Sequence, residues 1–165
     1  MKTPICNVCL NSDILCLACE KKFKQGEVSE SDIRICKILN ELSKNFKSLE
    51  NVTIKRIVEG KEIGLIICEK GDAAKIIGKN GIIIKKLSKI VGKEFRVVEE
   101  TNDFKEFISF LIQPVPIIRI NILYKPEGEV LKLVIPKNSK IPIKQTALEE
   151  IIRIVFRKGL IIIKE

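Results

Sequence analysis

The sequence predicts a mixed α/β (α+β) protein, with two similar helix-strand units in tandem behind a small cysteine-bearing module. Three observations carry this. Apolar residues switch repeatedly between helical and strand periodicity. The same order of segments runs through residues 29–100 and again through residues 101–165. Four cysteines crowd residues 1–28 in the pattern C-x2-C-x6-C-x2-C.

In the first segment, Cys6, Cys9, Cys16 and Cys19 form two C-x2-C pairs. Each pair is a natural chelate, and two supply the closed four-sulfur set that structural Zn²⁺ prefers. Iron suits the same ligands. Disulfides fit an oxidising compartment, and the sequence shows no secretory leader pattern. A thioredoxin-like redox pair needs a βαβ context that residues 1–20 do not offer. Leu10 and Glu20 stand where a knuckle glycine often follows the second cysteine, so a compact metal loop is expected. Cys36 and Cys68 sit in apolar patterns and read as small buried hydrophobes.

The stretch Lys21–Asp32 is polar and reads as a linker, with Ser29 or Ser31 capping the helix after it. Apolar residues at 33, 35, 38, 39, 42, 46 and 49 predict a helix to about Leu49. Two β-branched runs, 51–60 and 62–71, predict strands joined by a turn at Glu59–Glu62. Asp72 is expected to cap a short helix that Gly78 stops. A second helix, from about Gly81 to Val91, ends at Gly92, and residues 94–100 form a third strand. After residue 100 the order returns. Asp103 caps a helix, two strands turn at Gly128, a helix covers 144–156 and stops at Gly159, and a last strand follows. A shift of 65 residues aligns 71–100 with 136–165 without a gap. In that alignment Lys79 meets Lys144 and Asn80 meets Gln145, while Gly78 and Gly81 become Ile143 and Thr146.

The chain has 165 residues and a net charge of +9. The charge is concentrated: residues 70–98 hold eight basic and two acidic side chains. Such a segment suggests a polyanionic partner. There is no histidine, hence no histidine base or histidine metal ligand, and the carboxylates are dispersed. These features argue against an enzyme. No apolar run is long enough to span a bilayer, so no membrane partner and a cytoplasmic location are expected.

The basic segment contains Gly78-Lys79-Asn80-Gly81 between two helical patterns. A P-loop would need a glycine five residues before a Gly-Lys-[Ser/Thr], and this stretch has neither feature. A plain helix-turn-helix corner is the structural alternative. The stretch "IIGKNGIIIKKL" of residues 76–87, inside the order helix, strand, strand, helix, loop, helix, strand, resembles a type II KH domain. The duplicated order over residues 30–165 is similar to the paired KH domains of NusA-type transcription factors, above all short archaeal NusA-like proteins.

That resemblance implies a single-stranded RNA partner and a role in transcription elongation or termination. It implies that Gly78, Lys79, Asn80 and Gly81 clamp the RNA backbone. It places Ile77 and Ile84 along an apolar groove for bases, with Lys75, Lys85 and Arg96 around it. The second unit, lacking both glycines, is expected to keep the fold and lose the clamp. Two other functions stay open at this level: a ribosome-associated or ribosome-assembly RNA-binding protein, and an adaptor docking on RNA polymerase through the cysteine module and the second unit.

Overall fold

The computed structural model describes residues 1–165 and is mixed α+β, with two separate three-stranded sheets. The chain divides into two compact units, Met1–Glu100 and Thr101–Glu165.

In the first unit, α1 (Asn7–Leu10) and α2 (Leu17–Lys24) carry the cysteines. The expected linker is therefore shorter than the polarity of Lys21–Asp32 suggested. Lys21, Lys22 and Lys24 occupy the last turn of α2, where cations favour the helix dipole, and Lys24 pairs with Glu20 one turn back at 2.8 Å. The cysteine module also has no core of its own. Ile5, Cys9, Leu10 and Cys19 share one apolar cluster with Ile35, Leu39, Ile66 and Leu87.

Helix α3 (Glu30–Ser43) starts with a full capping box. The Ser29 hydroxyl accepts from the Asp32 N–H at 3.0 Å, and the Asp32 carboxylate accepts from the Ser29 N–H at 2.8 Å. The other oxygen of buried Asp32 accepts from the Ile57 N–H at 2.6 Å, tying α3 to the sheet. The helix ends at Ser43, six residues before the expected end. One 3₁₀ turn, Lys47–Leu49, continues the apolar rhythm, and buried Leu49 packs into the same core.

Strands β1 (Ile54–Glu59) and β2 (Ile63–Cys68) pair antiparallel across the expected turn, where the Gly60 N–H bonds the Ile63 carbonyl at 2.8 Å. Helices α4 (Ala73–Ile77) and α5 (Ile82–Val91) cross over to β3 (Glu94–Glu99), which lies parallel to β2. β2 is buried along its whole length, as the centre of the order β1-β2-β3 must be. Asp72 takes the expected N-cap position of α4, but its side chain makes no cap bond. Its carboxylate instead accepts from the Thr53 N–H and from Lys75, each at 2.8 Å, bracing the helix start against the strand side. Gly78 stops α4 and Gly92 stops α5, as expected, both with positive φ, and Gly92 in the left-handed helical region.

The second unit comprises α6 (Phe104–Ile112), β4 (Arg119–Lys125), β5 (Gly128–Ile135), α7 (Gln145–Phe156) and β6 (Gly159–Lys164). The Asp103 side chain caps α6 by accepting from the Lys105 N–H at 2.8 Å. The sheet repeats the first pattern, with β4 antiparallel and β6 parallel to central β5. Phe156 meets Phe104 and Phe107 edge-on, both at 4.8 Å between ring centres.

The second unit differs from the first in its crossover. No counterpart of α4 forms between β5 and α7, where Pro136 and Pro142 remove backbone donors. Helix α7 ends through left-handed Arg157, not at Gly159, which already lies in β6 opposite Val130.

Candidate metal centre and glycine-loop face

The Sγ atoms of Cys6, Cys9, Cys16 and Cys19 all lie within 4.8 Å of one another. Thiolates at about 2.3 Å from a tetrahedral ion stand roughly 3.8 Å apart. The Cys6–Cys9 and Cys6–Cys16 sulfur separations are 3.5 and 3.9 Å, so the four residues fit a metal ion.

The missing knuckle glycines have a local explanation. Each C-x2-C pair runs into a helix, with Cys6 and Cys16 in extended N-cap positions, so no left-handed turn is needed after the second cysteine. Backbone N–H groups point at the sulfurs: Cys16 N–H to Cys9 Sγ at 3.1 Å, Cys6 N–H to Cys19 Sγ at 3.4 Å, and Cys19 N–H to Cys16 Sγ at 3.5 Å. Such donors stabilise thiolate. The backbone and thiol of Cys9 lower Cys6 from its ordinary value of 9.0 to about 7. Cys9 and Cys19 are buried, whereas Cys6 is exposed. Cys36 and Cys68 lie outside the cluster. Burial pushes both thiols up, Cys68 to about 12, with Glu99 and Asp72 adding to the latter.

The glycine loop follows α4. Gly78 has φ 76° and ψ 170°, Asn80 φ 54°, and Gly81 φ 72° with ψ 21°, and Lys79–Gly81 form a single 3₁₀ turn. The two glycines are required for different reasons. A Cβ on Gly78 would lie 2.7 Å from Ile83 Cγ1 and 2.9 Å from its Cδ1, so the core excludes any side chain there. A Cβ on Gly81 would meet nothing nearer than Lys85 Cε at 3.6 Å. Gly81 is set by its left-handed backbone, and a Cβ there would touch Lys85 and Ile84 without a clash.

Beyond Gly81, the outer side of α5 and the start of β3 bound a shallow cavity of about 510 Å³ lined by Ile84, Lys85, Ser88, Lys89 and Gly92–Phe95. Ser88 shapes its far end. Its carbonyl accepts from Gly92 at 2.8 Å and from Lys93 at 3.2 Å, and its hydroxyl accepts from the Phe95 N–H at 3.0 Å. Lys93 is held by Glu59 at 3.2 Å and the Gly60 carbonyl at 3.0 Å.

The structure gathers some of the sequence-predicted residues and separates others. Lys79 and Asn80 are exposed at the loop tip. Ile84 and Lys85 line the cavity, and Lys85 also donates to the Asn80 carbonyl at 3.1 Å. Ile77 is half-buried against the core and does not line the cavity. Lys75 pairs with Asp72 at 2.8 Å, and Arg96 pairs with Glu94 at 2.8 Å, so both have charge partners within the fold. Sequence reasoning missed Ser88, Lys89 and Lys93. Ser88 and Lys89 each lie one helical turn beyond Ile84 and Lys85, a spacing that was available as a signal.

The second unit's Ile143–Thr146 differs in kind. None of the four has positive φ, Ile143 is buried, and Lys144 is an extended N-cap.

No protein-family model matches this sequence, and neither does any curated protein. Among solved structures, the chain is similar to one described as the crystal structure of APE1850. The TM-score is 0.65 at 18% identity, over 82% of this chain and all of that one, a likeness that extends to the fold alone.

Proposed function

We propose that this chain is a non-enzymatic, KH-type single-stranded RNA-binding protein, NusA-like in organisation, with RNA held at the glycine loop of the first unit. The observation that carries the reading is the loop itself. Three of its four residues have positive φ, Gly81 carries no side chain beside Lys85 and Ile84, and exposed Lys79 at the tip has no acidic partner. A phosphate backbone can approach such a surface closely, and the N–H groups at the start of α5 favour negative charge. The cavity beyond it offers Ile84 for an unstacked base, with Lys85 and Lys89 for further phosphates.

The four-cysteine cluster holds one structural Zn²⁺ in this reading. Four sulfurs leave a tetrahedral ion no open position for catalysis, which agrees with a binding protein. Placement in transcription elongation or termination, alongside RNA polymerase, rests on the resemblance to paired KH proteins.

The test is a titration with a pool of short single-stranded RNAs at two salt concentrations, comparing wild type with Lys79→Asp/Asn80→Asp. Asp at position 80 tolerates left-handed backbone nearly as Asn does, so the fold is retained. Reversing Lys79 against a phosphate at ~4 Å and adding one further charge weakens binding by about 2–3 kcal/mol, roughly 30- to 150-fold at low salt. Equal binding by both proteins would make the loop a structural corner and remove this function.

A further inference from the structure

We propose that the tip of the cysteine module is a protein-docking surface, and that its partner offers an apolar pocket ringed by lysine or arginine. The inference rests on the metal reading of the four cysteines and is independent of the RNA reading. Its first basis is exposure. Val8, Ile14 and Leu17 are 71%, 79% and 85% exposed, although they lie within ten residues of one another in sequence. Val8 and Leu17 fill the variable positions of the two C-x2-C pairs, and Ile14 stands two residues before Cys16. They stand beside ligands whose sulfurs lie within 4.8 Å of one another, so all three belong to the surface of one small module. The module does not need them for its own packing, because Ile5 and Leu10 supply its share of the core. A cluster of this kind marks an interaction site, where a single exposed aliphatic would not.

The second basis is charge. From Thr3 to Glu20 there is no lysine or arginine, in a chain that carries 30 of them. A divalent ion held by four thiolates carries a net −2. Asp13 adds a carboxylate that Lys37, which lines the same hollow, counterbalances, and Glu20 is offset by Lys24, so the −2 of the metal group remains. The tip is therefore apolar and anionic, on a protein whose net charge is +9. A nucleic acid would bring phosphates towards a metal–thiolate group whose net −2 charge Lys37, bonded to the Ser12 carbonyl at 2.7 Å, offsets only in part. A protein with a cationic rim meets both features.

The test uses the full-length, metal-loaded chain as bait for a displayed library of random peptides, after metal content has been measured. Parallel selections use Ile14→Ser/Leu17→Ser and Lys79→Asp/Asn80→Asp. Both serine positions are exposed and neither is a ligand, so metal content and unfolding midpoint stay at wild-type values. The expected winners combine bulky apolar residues with lysine or arginine, bind the serine variant about ten-fold or more weakly, and bind the aspartate variant unchanged. Winners that ignore the serine changes, or that are acidic, would overturn the proposal. So would RNA affinity that falls in the serine variant, or self-association that the serine variant abolishes. A chain that binds no metal would overturn it together with the metal reading. Failure of the RNA reading alone would leave these outcomes unchanged.

Discussion

Alanine at Gly78 and alanine at Gly81 are the same chemical change three residues apart, and the structure predicts different consequences. At Gly78 the backbone lies at φ 76°, ψ 170°, a region nearly closed to other residues, which costs about 1–3 kcal/mol. The new methyl would also sit 2.7 Å from Ile83, which is only 1% exposed, and overpacking there adds roughly 1–3 kcal/mol. Restricting the unfolded chain returns only about 0.4–1 kcal/mol, leaving a net loss near ~2–4 kcal/mol. At Gly81 there is no clash, and left-handed backbone costs about 1–2 kcal/mol, so the net loss is about 0–1.6 kcal/mol. Urea unfolding followed by circular dichroism separates the two by midpoint at constant slope. In RNA titrations, Gly81→Ala weakens binding while the protein remains folded. Equal destabilisation by the two changes would refute the assignment of Gly78 to packing and Gly81 to backbone conformation alone.

Other consequences are directly measurable. Chelation of the bound metal, or Cys9→Ser, unravels the cysteine module and lowers the stability of the first unit, read as a reduced unfolding midpoint. A thiol reagent at pH 8 labels no cysteine quickly in the metal-loaded protein and four after chelation, because Cys36 and Cys68 stay buried with raised thiols. Asp32→Ala removes the acceptor of the buried Ile57 N–H and half of the capping box, costing about 1–3 kcal/mol, seen by urea unfolding. The Lys75 hydrogen bond, aided by the Thr53 N–H, holds the Asp72 carboxyl below its ordinary range. Its stabilisation is therefore complete above the unfolded value of about 3.9 and is lost as pH falls through the lower folded value. Asp72→Asn flattens the acid limb of a stability-versus-pH curve, and an unchanged limb would remove Asp72 from that role.

Much of this fold was legible because local chemistry and tertiary packing agree. The β-branched runs became β1 and β2, the turn fell at Gly60, and Gly78 and Gly92 stop their helices. The four-cysteine cluster was legible from spacing alone, since two chelating pairs have few other ways to be satisfied. Elsewhere a tertiary partner decided. Asp72 looked like a helix cap, but the Thr53 N–H and Lys75 compete for its carboxylate. Polar Lys21–Lys24 looked like linker because its helix depends on the metal-loop N-cap and a dipole-favoured lysine turn. The second unit followed the 65-residue repeat up to its crossover, where Pro136 and Pro142 left no counterpart of α4. In the glycine-loop face, Lys79 and Asn80 are exposed at the tip, and Ile84 and Lys85 line the cavity. Lys75 and Arg96 were charges of the right sign whose acidic partners only folding reveals. The far wall of the cavity, built on Ser88 and Lys93, depends on hydrogen bonds that no spacing encodes.

The most direct measurement is a backbone-amide NMR titration of the metal-loaded chain with the short RNA pool. The account predicts that shifts concentrate at Gly78–Gly81, along Ile84–Lys89 and at Gly92–Phe95, with Ile143–Thr146 unmoved. Shifts confined to the second unit or to the cysteine module, with the glycine loop silent, would contradict it.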